Sequence, residues 1–221
     1  MESKDESSRL EQMLASRDLT EPAHGGHRFQ ALVTRVHESV AEVIGCSRQL
    51  LRLPPWESSG FGERRRPRPR AGLVGGVCEL LASQALDPPN DRLVVSPGPV
   101  LDDRGYRHEL MLARVSEAPV TAMQLATLVR AATAGAGVTS AYRLLPERNR
   151  LAHGLRLEVQ GEAGWQAIGR CGLASTDDLV RAGLDSRGHG AAVICFGLEA
   201  LDAVLGGRDE APQTACAAAA G

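Results

Sequence analysis

His24 and His27, in the run His24-Gly-Gly-His27, are the first residues along the chain whose type and spacing suggest chemistry, because two imidazoles can share one metal ion. No second ligand pair accompanies them. Capping of the following helix or exposure to solvent is therefore expected, and no metal is assigned. Arg64, Arg65, Arg66, Arg68 and Arg70 are interleaved with prolines, and guanidinium groups pair well with phosphate oxygens. The plainer reading of that run is a solvated loop. Cys46, Cys78, Cys171, Cys195 and Cys216 include no CxxC, and their wide, irregular spacing reads as reduced thiols, most of them small apolar residues in their surroundings. Walker A, GxGxxG, HExxH and GxSxG patterns are absent, which removes the corresponding nucleotide, zinc-protease and serine-hydrolase chemistries.

Elements that would position such residues follow from periodicity. Phe29, Leu32, Val33, Val36, Val40, Val43 and Ile44 recur at three- and four-residue steps and predict a helix over 27–44, ended by Gly45. A short strand is expected over 49–53, ending at Pro54-Pro55, and then an extended, mobile Arg/Pro-rich loop over 56–70. Helix is expected over 73–86, and a buried strand over 92–96 that Pro97-Gly98 should stop. Another strand covers 108–115, and a helix covers 121–133 with Thr121 as N-cap. Strands near 139–145, 154–160 and 165–171, a short helix over 176–182, the apolar strand 191–196 and a helix over 198–205 complete the order. Strands cluster as hairpins rather than alternating with helices, so the fold class is α+β with a mostly antiparallel sheet flanked by helices.

Composition narrows the function classes. Only 3% of the 221 residues are aromatic, which argues against a single-strand-binding module built on ring platforms. A formal net charge of −2 argues against a surface coated for duplex binding. The longest apolar run, 191–196, is too short to span a bilayer, and the first residues are acidic rather than signal-like, so a cytoplasmic protein with no membrane partner is expected. Residues 1–16 and 211–221 read as flexible ends around one domain over 17–210.

The order and spacing of the C-terminal third carry a resemblance. Gly154-Leu-Arg-Leu-Glu-Val159 is followed by Trp165-Gln-Ala-Ile-Gly-Arg-Cys-Gly-Leu-Ala174, then by Leu179-Val-Arg-Ala-Gly-Leu-Asp185, Gly190-Ala-Ala-Val-Ile-Cys-Phe-Gly-Leu-Glu-Ala-Leu201 and Leu205-Gly-Gly-Arg-Asp209. This resembles the end of a class II aminoacyl-tRNA synthetase core, most closely the phenylalanyl alpha-chain type. Leu93-Val-Val-Ser-Pro-Gly-Pro-Val100 and Arg107-His-Glu-Leu-Met-Leu112 look like the strands flanking the motif 2 loop, and Arg17-Asp-Leu-Thr-Glu-Pro-Ala-His-Gly25 with its helix looks like motif 1 of a short stand-alone member. The resemblance spans roughly residues 17–210. It implies an ATP-binding fold, a homodimer formed through the 28–44 helix, and a ligand pocket between residues 100–109, 156–172 and 195–199. The candidate ligand-binding residues it implies are Arg104, Arg107, His108, Glu109, Arg156, Glu158, Cys171, Gly172, Gly197 and Glu199.

Adenylation brings a carboxylate against the α-phosphate of ATP, so the family supplies arginines and Mg²⁺ there. This chain departs from that pattern. Val100-Leu101-Asp102 stands where motif 2 would read Val-x-Arg, with Arg104 displaced by two residues, and the motif 3 arginine falls on Ala200. Cys195 replaces a glycine, Arg156-Leu157-Glu158 keeps only the second of two acidic residues, and the hydroxyl-rich substrate strand corresponds to Ala71-Gly-Leu-Val-Gly-Gly76. The expectation is a pseudoenzyme with no assigned catalytic residues, acting by binding a protein partner or an aminoacyl, nucleotide or tRNA-related ligand. Regulatory paralogues of histidyl synthetase, which keep the fold and serve another enzyme, are the comparison in kind. The alternative is a divergent ATP- and Mg²⁺-dependent aminoacyl ligase or tRNA-linked transfer enzyme in which Arg104, Arg107 or Arg156 takes over the phosphate contacts. The chain length leaves no room for an anticodon-reading domain beside such a core. Read without the resemblance, Glu199 starts a helix where its dipole favours a carboxylate, His108 and Glu109 point to solvent, and Cys171-Gly172 serves close packing.

Overall fold

A computed structural model describes residue 11 and residues 16–59, 66–70, 72–83, 91–102, 105–148 and 151–206. The flexible ends expected at 1–16 and 211–221 fall almost wholly outside the described residues, as does Arg104.

Helix α1, Arg28–Ile44, forms where the apolar period requires it. His27 caps it, its ring nitrogen accepting the Phe29 N–H at 3.2 Å, and Gly45 ends it in the left-handed region at φ 68°. The histidine pair thus serves at least in part as a cap, while His24 Nδ1 lies 3.1 Å from the Asp18 carbonyl oxygen. Strand β1, Ser47–Leu50, follows. The segment expected to be an irregular loop is instead an antiparallel ribbon of β2, Trp56–Ser59, and β3, Arg66–Pro69. Cross-strand pairing, which sequence periodicity over so short a run does not reveal, supplies its order.

Helix α2 spans Leu73–Ser83, so residues 73–76 are helical and do not form the substrate strand that the resemblance placed at 71–76. Strand β4, Arg92–Asp102, runs straight through the Pro97-Gly98-Pro99 that was expected to stop it. The reason is its position. β1 pairs only with residues 92–95, so the outer side of β4 is free of strand beyond that point. Leu101 N–H points outward to the Arg70 carbonyl at 2.7 Å. Pro97 and Pro99 share its parity and so lack only N–H groups that β5 would not use.

Strand β5, Gly105–Ser116, pairs antiparallel with β4 along its whole length and with β9, Gly190–Gly197, from Glu109 to Ser116. Between them in sequence lie helix α3, Ala122–Ala136, opened by a Thr121–Gln124 capping box; strands β6, Tyr142–Pro146, β7, Ala152–Gly161, and β8, Gly164–Leu173; and helix α4, Thr176–Arg181. Helix α5, Leu198–Val204, leaves the end of β9 directly. The sheet order is β1-β4-β5-β9-β8-β7-β6, antiparallel at every pair except β1–β4. The α+β class with a mostly antiparallel, helix-flanked sheet is therefore as expected.

Alternation along the strands sends side chains into two separate cores. Leu110, Leu112, Ile194 and Phe196 pack on one face beneath α1, α3 and α5. Ser39 and Gly135 let α1 and α3 approach closely, for a Cβ on Gly135 would lie 3.1 Å from the Arg35 carbonyl oxygen. On the other face Met111, Ala113, Val115 and Val193 pack beneath α2 and α4 with Leu73, Val77 and Leu179. This second core covers only one end of its face. The other end is left to charged side chains.

Arg70 is the last of the arginine run and is buried at 3% exposure rather than solvated. Its Nε donates to the Pro54 carbonyl at 3.0 Å, and its guanidinium lies where a Cβ on Gly76 of α2 would stand. Gly75, one residue earlier in the same helix, has open space around its missing Cβ. Gly75→Ala should therefore stabilise by about 0.5–1 kcal/mol through helix propensity. Gly76→Ala should destabilise by about 1–3 kcal/mol, because overpacking outweighs the same propensity gain. Urea unfolding midpoints of the two variants, shifted in opposite directions, check this pair.

Candidate functional site

The uncovered end of the second sheet face holds a pocket of about 450 Å³. Arg107 and Glu109 reach it from β5, Arg156 from β7, Arg170 from β8, and Cys195 and Gly197 from β9. Glu147, just after β6, and Glu199 and Ala200, in the first turn of α5, complete its wall. Parity explains the set: Arg107 and Glu109 continue the row Met111, Ala113, Val115 past the point where α2 and α4 stop covering it. Cys195 likewise stands opposite Arg170 in the β8–β9 register.

Glu109 is the centre of the charged cluster. It is buried at 2% exposure, and its Oε1 accepts from Arg107 Nη1 at 2.7 Å and from Arg170 Nη2 at 3.1 Å. Its Oε2 is buried without a hydrogen-bond partner among the described residues. The backbone of Gly72 lies over the Arg170–Glu109 pair, since a Cβ there would be 3.3 Å from Arg170 Nη2 and 3.9 Å from that free Oε2. Arg170 also reaches the Cys195 thiol, which burial and then the Glu109 charge push up to about 12, the direction that disfavours the thiolate.

A second chain of ion pairs crosses the outer strands. Arg156 pairs with Glu158 at 2.8 Å and lies 3.9 Å from Glu147. Glu158 accepts from Arg143 Nε at 2.8 Å, and the Arg143 guanidinium lies over the Trp165 ring, 4.3 Å from its centroid. The Arg143 hydrogen bonds hold the Glu158 carboxyl below the usual range against the opposing effect of desolvation, and the Arg143 and Arg156 charges act with them.

His108 and Glu199 form a separate pair. His108 is buried at 2% exposure on the face beneath α1, not pointed at solvent as its strand position alone suggested. Its Nδ1 lies 2.7 Å from Glu199 Oε1, and its main-chain N–H donates to the same carboxylate at 2.9 Å. Burial pushes the Glu199 carboxyl upward, but the His108 bond and the main-chain donors outweigh it and leave it below the usual range. Beyond favouring a helix start, Glu199 thus anchors α5 to β5.

The sequence-derived candidates divide accordingly. Arg107, Glu109, Arg156, Gly197 and Glu199 line the pocket together. Glu158 supports it through Arg156, and His108 reaches it only through Glu199. Cys171 faces the first core, fully buried, and Gly172 stands opposite Val193 beyond the pocket, so neither lines it. The solvent-facing reading of Glu109 is wrong for a physical reason: Arg107, Arg170 and the backbone of Gly72 close over its carboxylate. Arg170 falls inside the expected segment 156–172 but was not named as a candidate, Ala200 was named only as the motif 3 arginine position, and Glu147 was not named. The β8 alternation that places Arg170 beside Cys195 was the one available signal, and it required the β8–β9 register. Among the described residues no group of three His, Cys, Asp or Glu side chains could hold a metal ion, and no helix is long and apolar enough to cross a membrane.

Comparison by sequence finds no matching family model and no matching curated protein. By structure, 295 solved chains match. One is the apo form of S. aureus histidyl-tRNA synthetase, with a TM-score of 0.61 at 10% identity, covering 80% of this chain. The match covers 65% of the synthetase chain. The fold is therefore class II aminoacyl-tRNA synthetase-like.

Glu158 and Glu199 both titrate below the ordinary 4.5 in the folded protein. Folding thus gains stability from them above 4.5, and the gain is lost as pH falls through the lowered values. Thermal melts should decline through that acid window. Arg143→Ala should return the Glu158 midpoint toward 4.5 in a carboxyl carbon NMR titration.

Proposed function

We propose that this chain is a non-aminoacylating paralogue of the class II synthetases that acts by binding a small polar ligand in the Arg107–Glu109–Arg170 pocket, in the manner of a regulatory or partner subunit. The observation that carries this reading is the state of Glu109. Arg107 and Arg170 are already hydrogen-bonded to its Oε1, while its buried Oε2 has no partner among the described residues. The pocket's spare capacity at its centre is an acceptor, which suits a ligand bringing N–H or O–H donors and suits a polyphosphate poorly. Arg156 is likewise engaged by Glu158, and Ala200 occupies the wall where the family resemblance calls for an arginine. The class II fold supports the location of the site, and the finer phenylalanyl-type likeness rests on strand order alone.

The ligase reading keeps one point in its favour, the convergence of Arg107, Arg156 and Arg170 on one pocket. Loss of phosphate-facing arginines costs roughly 10³–10⁵-fold in phosphoryl chemistry. Pyrophosphate exchange with ATP, Mg²⁺ and each common amino acid should therefore stay at background. Clear turnover abolished by Arg107→Ala or Arg104→Ala would establish the ligase instead. Thermal-shift titration with amino acids, small amines and ATP should give a saturable shift for a donor-bearing ligand and none for ATP. Glu109→Gln should weaken that binding by about tenfold or more. The single 17–210 domain and its homodimer through α1 belong to the same proposal, and sedimentation equilibrium at twice the monomer mass of 23.4 kDa would support the dimer.

A further inference from the structure

We infer that residues 17–21 form a strap whose docking sets the position of Glu199 on the pocket wall, with His108 as the positioning residue between them. This goes beyond the ligand-binding reading and does not depend on what the pocket binds.

The Leu19 main-chain N–H donates to His108 Nε2 at 3.1 Å, and a backbone amide can only donate. Nε2 must therefore accept, so the neutral ring carries its proton on Nδ1 and donates it to Glu199 Oε1 at 2.7 Å. One imidazole thus joins the strap to the pocket wall in a single tautomer. Its accepting lone pair faces Leu19 N–H at 3.1 Å, with the Tyr106 hydroxyl farther off at 3.5 Å, so it is engaged rather than free to act as a general base.

The ring cannot readily turn away. Phe29 packs at 5.5 Å between centroids on one side and Tyr106 at 5.2 Å on another, both edge-on. The strap has anchors of its own. Tyr106 donates its hydroxyl to the Arg17 carbonyl at 3.2 Å, and Arg52 donates to the Thr20 carbonyl at 2.8 Å and pairs with Glu21 at 3.2 Å. Asp18 Oδ1, on the strap itself, stands 3.9 Å from His108 Nε2, and the Tyr106 hydroxyl of β5 stands 3.5 Å from it. With Leu19 gone, the ring loses the donor that holds Nε2 as an acceptor, and Glu199 keeps the His108 main-chain N–H but a less firmly held ring donor.

Nitrogen-15 NMR of the imidazole in the unmodified full-length chain tests the tautomer directly. A protonated Nδ1 with an unprotonated Nε2 is expected, and a proton on Nε2 at neutral pH would overturn the inference. The relay is tested by Arg52→Ala, which removes the strap anchors at Thr20 and Glu21 and is a contact of neither His108 nor Glu199. Leu19 amide exchange should quicken at least about tenfold, and the Glu199 carboxyl midpoint should rise in the same protein. Unchanged Leu19 exchange, or a freed strap with an unmoved Glu199 titration, would each refute it. Should Arg52→Ala not fold, Arg52→Gln carries the same two readouts.

Discussion

The pairing of β5 with β4 on one side and β9 on the other is the constraint on which the rest of the molecule depends. That register fixes the parity of every residue from Arg107 to Val115. Even positions face the side of α1 and α3, where Leu110 and Leu112 enter the core, and odd positions face the side of α2 and α4, where Met111, Ala113 and Val115 do. A slip of one residue would exchange the two sets and bury Arg107 and Glu109 under α1. The pocket, the second core and the His108 clasp are therefore consequences of a single strand alignment.

The same strand also explains why one sheet face changes character midway. From Val115 to Met111 it is apolar and covered by helices; at Glu109 and Arg107 the main apolar cover ends and charge begins. A carboxylate as deeply buried as Glu109 survives because two guanidiniums answer it, and removal of one partner from such a group is commonly worth several kcal/mol. The ion pairs continue outward through Arg156, Glu158 and Arg143 to Trp165. The open face is thus largely balanced internally, and Glu109 Oε2 is a buried carboxylate oxygen that this balance leaves without a hydrogen-bond partner among the described residues.

A fold shared at 10% identity conserves packing directions far more than chemistry. The pocket lies at the ends of β5, β8 and β9, where α5 emerges from β9. Its residues include a self-paired Glu109 cluster and an alanine at position 200, and the strap over His108 ties the early part of the chain to the same wall.

Local patterns announce themselves in the sequence. The apolar period of α1, the capping signals of α3 and the unbroken apolar run of β9 each lie within a few consecutive residues, so helix and strand types were legible there. The ribbon β2–β3 and the passage of β4 through Pro97 and Pro99 were not, because each depends on what lies alongside: a partner strand in one case, a free edge in the other. The pocket divides in the same way. Arg107, Glu109, Arg156 and Glu199 could be named from strand order, but the pairing of Glu109 with Arg170, 61 residues away, could not. Nor could the bond from Leu19 to His108, across 89 residues. The sequence by itself determined which residues alternate and where helices begin, since those depend on neighbours along the chain. Only the tertiary structure decided which charges neutralise one another and which carboxylate oxygen lacks a partner among the described residues, because those depend on strand register and on which half of a sheet face the helices cover.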